Sequence, residues 1–186
     1  MRWPVVIIFG YVLLGLELTV KRALGIGWDS SLVTPSFIVP FLVFLAMSAP
    51  LVPTLWVALV LGFAADILSP REGGTVLVMG PYALGNMAGV YFVHTMRGLM
   101  RRHWLSVVLL SILASALTEL VVVALFSIRG LYTPTEFVAW SQLLIRLASS
   151  IYTGATAAGL ALILLPCSGM FGFHDPHQRR FASRRT

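Results

Sequence analysis

The chain is poor in charge. Of its 186 residues only 11% are Asp, Glu, Lys or Arg, 13 basic against 7 acidic, while 58% are hydrophobic. A soluble domain carries about 25% charged and roughly 45–50% apolar residues. So few charges cannot cover a 20.3 kDa globule, which excludes a soluble enzyme, a nucleic-acid-binding domain and a disordered protein. Cysteine is almost missing too. Cys167 stands alone, which excludes an internal disulfide and a cysteine-based metal cluster. There is no HExxH, no GxSxG, no His pair at i, i+4 and no aspartate-rich motif for a metal–diphosphate. Asp29, Asp66 and Asp175 are far apart and do not suggest a dyad. His174 and His177 flank Asp-Pro in a tail that reads as solvated. No enzyme activity, cofactor or metal is therefore expected. No repeat of 20–50 residues and no low-complexity tract is present.

What the chain does have is long apolar runs, with a mean hydropathy of +0.90. A membrane helix needs about 20 apolar residues. Six spans are expected, at 3–20, 32–49, 51–68, 75–96, 104–128 and 140–165. Together they make a compact all-α integral membrane bundle over residues 1–166, followed by a basic tail at 167–186. The first run resembles a signal peptide but has no small-x-small cleavage site, so it reads as a retained span. Leu32 to Leu68 is one apolar stretch; as a single helix it would be roughly 55 Å long, far beyond the bilayer core. Pro50 and Pro53 bracket an expected tight turn, with Pro53 in the first turn of the next helix. Pro35 and Pro40 should kink the second span or delay its start.

Lysine and arginine in the loops set orientation. With six spans and both termini cytoplasmic, the inside holds Arg2, Arg97, Arg101, Arg102, Arg179, Arg180, Arg184 and Arg185. The outside holds Lys21, Arg22, Arg71 and Arg129. A five-span reading with the N-terminus outside fits the charges as well, so length decides for six. Both readings put the 97–103 loop and the tail in the cytoplasm. There the arginines serve as a basic anchor on anionic lipid, each contributing roughly 1 kcal/mol, or meet a cytoplasmic protein. His94 and His103 flank that loop and read as interfacial.

Charged groups at membrane depth need a partner or a task. Glu17, Asp66, Glu119 and Arg146 all fall in the outer half of their spans, and Asn86 falls near a midplane. Glu17 has Lys21 at i+4 as a local partner. Glu119 and Arg146 lie at similar depth on consecutive helices and read first as a structural ion pair, with a partner or ligand contact as the other option. Small residues mark close helix packing. Gly85 and Gly89 form a GxxxG; Ser111, Ala114, Ser115 and Thr118 share a face; Ser149, Ser150, Gly154, Ala157 and Ala158 lie along the sixth span. These stripes fit contacts within the chain, with a dimer face as the alternative.

One segment carries a family likeness. Leu61-Gly62-Phe63-Ala64-Ala65-Asp66-Ile67-Leu68-Ser69, then Gly73-Gly74 and Pro81-Tyr82-Ala83-Leu84, resembles the rod shape-determining protein MreD family, whose members read gly-x-x-x-asp-x-leu at the end of a middle helix, followed by a glycine. The match rests on Gly62, Asp66, Leu68 and Gly74, over about 35 residues, with agreement of layout elsewhere. Ala64-Ala65, the polar Pro70-Arg71-Glu72 and the long basic tail depart from the pattern. The resemblance implies a fold similar to the S components of energy-coupling-factor transporters. It also implies a non-catalytic scaffold of the cell-elongation machinery in the bacterial inner membrane. Its partners would be the bitopic MreC and, through it, the MreB filament and the RodA/penicillin-binding protein synthase. Within that frame Asp66 is expected to cap the Ser69–Gly74 amides or pair with Arg71, or to contact a partner. Two other functions compete. One is a vitamin-type binding subunit with an outward pocket lined by Glu17, Asp66, Asn86, Glu119 and Arg146, disfavoured by the large aliphatic first span. The other is a lipid or prenyl-diphosphate enzyme, disfavoured by the missing metal signature.

Overall fold

The structure is a computed structural model that describes residues 2–28, 31–68, 80–99, 103–130, 132 and 139–172. Gly74, Arg71, Arg101, Arg102, Arg179, Arg180, Arg184, Arg185 and the tail histidines lie outside the described residues. Among the described residues six α-helices follow one another: α1 (Trp3–Ala23), α2 (Ile38–Ser48), α3 (Leu51–Leu68), α4 (Pro81–Met96), α5 (Trp104–Gly130) and α6 (Ala139–Leu164). Between α1 and α2 lies an antiparallel hairpin of β1 (Ile26–Trp28) and β2 (Ser31–Val33), with Ile26 opposite Val33. Four stretches are long and apolar enough to cross a membrane: Trp3–Val20, Leu51–Leu68, Trp104–Gly130 and Gln142–Leu164. This is a multi-pass membrane protein.

The short helix α2 is the centre of the bundle. It packs against all five other helices, and every residue from Ile38 to Ala46 is buried. The expected 32–49 span is thus helical only over its second part, and the correction has a cause. Proline removes an amide and disfavours helix in the residue before it. Pro35 keeps the chain out of the helix, and Pro40 is tolerated because it falls in the first turn. At 1.5 Å per residue α2 is about 16 Å long, and the four residues Val33–Ser36 add at most about 13 Å. The two together approach the bilayer core of about 30 Å.

Non-helical backbone at membrane depth survives only where protein groups satisfy it. Here α6 does so. The Thr34 N–H donates to Ser149 Oγ (3.3 Å), the Ser36 N–H to Thr153 Oγ1 (3.0 Å), and Thr156 Oγ1 donates to the Ser36 carbonyl (2.9 Å). The face expected to serve packing alone is therefore also a hydrogen-bonding rail.

Around this centre α3, α4, α5 and α6 pack in sequence order. The turn between α2 and α3 is Ala49-Pro50, and Pro53 sits in the first turn of α3. Helix α4 starts at Pro81, with Gly80 before it; the expected stretch 75–79 lies outside the described residues. After α6 a 3-10 turn (Pro166–Gly169) brings the chain back. Phe171 enters the core beside Phe9, Phe41 and Phe44. The Arg2 N–H donates to its carbonyl at 2.9 Å. The first and last described residues therefore meet at one end of the bundle, opposite the β-hairpin.

Thr153→Val keeps the volume but removes the acceptor for Ser36. It should cost about 1 kcal/mol, measured by unfolding in detergent, whereas Thr95→Val, on an exposed hydroxyl that bonds within its own helix, should cost less.

Candidate functional site: the polar network at the hairpin end

A helix leaves its first amides without intrahelical partners. At the start of α2 each is accounted for. Glu17 of α1 is buried, and its Oε2 accepts from the Phe37 N–H (2.5 Å), the Ile38 N–H (3.4 Å) and Ser36 Oγ (3.3 Å). The Val39 N–H donates to Ser36 Oγ (3.4 Å), and Pro40 has no N–H to satisfy. A carboxylate at a helix N-terminus also meets the positive end of the helix dipole. The expected pairing of Glu17 with Lys21 lies outside the described residues, because the Lys21 side chain is not described.

The same arrangement recurs at α4. Asp66 of α3 is buried. Its Oδ2 accepts from the Gly80 N–H (3.0 Å) and the Ala83 N–H (3.3 Å), and its Oδ1 from the Tyr82 N–H (3.1 Å). Pro81, again, has no N–H. The described amides that Asp66 takes are therefore those of the next helix; the Ser69–Gly74 amides and Arg71 expected from the sequence lie outside the described residues. Gly80 adopts φ +119°, a conformation open to glycine at little cost.

Gly62 makes this reach possible. It lies one turn before Asp66 on α3, and a Cβ built there would stand 2.4 Å from Ala83 Cα and 2.8 Å from Ala83 N. Only a hydrogen at this position lets the first turn of α4 settle on α3. The spacing gly-x-x-x-asp thus has a physical reading. The glycine admits the helix start and the aspartate binds its amides.

Glu119 and Arg146 meet directly, Nη1 to Oε2 at 2.8 Å, each side chain 16% exposed. The same Nη1 donates to the Tyr82 hydroxyl at 2.9 Å. Tyr82 therefore joins two units, its N–H on Asp66 and its hydroxyl on Arg146. Along α6, Ser150 Oγ donates to the Arg146 carbonyl; one turn on, Thr153 Oγ1 accepts from the Ser36 N–H, and the Ser36 hydroxyl donates to Glu17. Glu17, Asp66, Glu119 and Arg146, scattered in sequence, stand in the hairpin half of the bundle, Glu17 in one hydrogen-bonded cluster and Asp66, Glu119 and Arg146, joined by Tyr82, in another.

The packing residues fall where the chain contacts itself. Gly85 and Gly89 of α4 face Thr118 and Ala114 of α5, a Cβ at Gly85 coming within 2.9 Å of Thr118. Thr118 Oγ1 also donates to the Gly85 carbonyl (3.1 Å). The GxxxG thus serves a contact within the chain. Gly154 packs on Ile112. Asn86 is buried and lines a cavity of about 10 Å³ between α2, α4 and α5, with Thr118 and Gly89, room for about one water. At the other end, Arg97 Nη1 donates to the Ala49 carbonyl (2.9 Å) and so closes the C-terminus of α2, a task beyond the expected lipid anchor.

Sequence reasoning missed Tyr82, Ser36, Thr153 and Thr156 as hydrogen-bonding members. Pro35 was the available signal, because a proline-broken backbone inside a membrane demands partners on a neighbouring helix. No protein-family model matches the chain, and no curated protein matches it.

Asp66→Ala strands three amides and should cost about 2–4 kcal/mol, with Asp66→Asn recovering part of it, read from thermal unfolding in detergent. Gly62→Ala should cost about 1–3 kcal/mol. Gly15→Ala, with open space around it, should be neutral or stabilise by up to about 1 kcal/mol.

Proposed function

We propose that this chain is a non-catalytic scaffold of the bacterial cell-elongation complex, of the MreD type. It would sit in the inner membrane with six crossings and both termini in the cytoplasm. There it would bind a bitopic MreC-type partner and, through it, the MreB filament and the RodA/penicillin-binding protein synthase. The observation that carries this reading is the unit formed by Gly62, Asp66 and the start of α4. Two of the residues that resemble the family motif, Gly62 and Asp66, act together on one structural task. An even number of crossings is supported by the meeting of Arg2 with Phe171 at one end of the bundle.

The network's composition also favours a scaffold. The Glu17 and Asp66 carboxylates accept from backbone amides, and Glu119 from Arg146. Such groups fix helices in place. The vitamin-binding alternative asks the same residues to face a ligand, and the cavity that Asn86 lines has room for about one water. The arginines at 97–102 and 179–185 face the cytoplasm in this orientation and hold the bundle on anionic lipid.

Depleting the protein from a rod-shaped host should round the cells. A vitamin auxotrophy with normal shape would contradict the scaffold. Affinity purification from solubilised membranes should recover a bitopic coiled-coil protein. Recovery of an ATPase module in its place would favour the transporter. Asp66→Ala should weaken recovery of the bitopic partner while the protein still inserts.

A further inference from the structure

Helix α1 is the least enclosed of the long helices. Only 22% of its Trp3–Val20 window is buried. It packs on α2 and α3, its buried residues being Val6, Gly10, Leu13 and Glu17, with Val5, Phe9, Leu14 and Leu16 partly buried beside them. Two contacts hold its ends. At the hairpin end Glu17 grips the start of α2. At the other end the contact comes from the opposite terminus of the chain. Phe171 is fully buried, its ring 5.1 Å from that of Phe9 on α1 and 5.4 Å from that of Phe44 on α2. Its carbonyl accepts the Arg2 N–H at the very start of α1. Gly172 follows with φ +67° and lies against the Arg2 side chain, where a Cβ would stand 3.1 Å from Cγ. The positive φ at Gly172 favours glycine there.

We propose that residues 166–172 are a releasable latch, with Phe171 as the bolt between α1 and α2. Closed, it couples the basic tail that follows Gly172 to the first helix. Open, it frees the N-terminal half of α1 while Glu17 still holds the C-terminal half. Anything that engages the tail and draws Phe171 out therefore loosens α1. This inference stands apart from the scaffold reading and does not need it.

The lone cysteine of the chain, Cys167, is half-buried within the latch and reports its state. The test uses the full-length protein in lipid nanodiscs. Phe171→Ala should speed alkylation of Cys167 at least tenfold. It should also raise amide exchange over residues 5–10 at least tenfold, with residues 14–20 changing less than twofold. Phe171→Leu, which keeps an apolar bolt, should stay near wild type. Leu110→Ala, a buried truncation on α5, controls for general loosening. Unchanged Cys167 reactivity in Phe171→Ala would overturn the latch. So would an equal acceleration in Leu110→Ala, or exchange rising evenly along α1.

Discussion

A helix that starts inside an apolar bundle presents amide N–H groups that no water reaches, and each one left unpaired costs about 1–3 kcal/mol. Much of this structure answers that constraint. Helices α2 and α4 both begin within the protein. Each is met by a carboxylate from the helix before it, Glu17 for α2 and Asp66 for α4. Each also spends a proline in its first turn, Pro40 and Pro81, which lowers the number of amides to satisfy. The carboxylates are in turn made tolerable at membrane depth by the amides they bind.

Further features follow from these two clamps. Asp66 reaches α4 because Gly62 lets the two backbones touch. The break before α2 needs hydroxyls from α6, so Ser149, Thr153 and Thr156 line up facing it. The far end of α2 presents carbonyls instead of amides, and there the partner is a cation, Arg97. In the third helical pair, α5 and α6, the carboxylate of Glu119 meets a guanidinium rather than a helix end. Acids sit where amides begin and a base sits where carbonyls finish, as the helix dipole favours.

Helix class and the positions of α1, α3, α5 and α6 were legible in the sequence, because long apolar runs bounded by charge or proline leave few alternatives. The shared half of Glu17, Asp66, Glu119 and Arg146 was legible by counting depth along each span. The Glu119–Arg146 pair was legible too; the helix-start amides that Glu17 and Asp66 accept from were not. An i+4 lysine beside Glu17 and nearby loop amides beside Asp66 are the local options, and a sequence displays local options first. The contacts found join residues 17 to 37 and 66 to 82, which only the packing of whole helices brings together. The centrality of α2 was hidden for a similar reason. A uniformly apolar helix has no polar face to show which side is buried, and here all sides are.

Site-resolved amide exchange of the protein in micelles tests the central claim most directly. The Phe37, Ile38, Gly80, Tyr82 and Ala83 amides should be strongly protected in the wild type. Glu17→Ala should expose only the first two at least tenfold, and Asp66→Ala only the last three. Fast exchange of these five amides in the wild type, or the same response to both substitutions, would contradict the account.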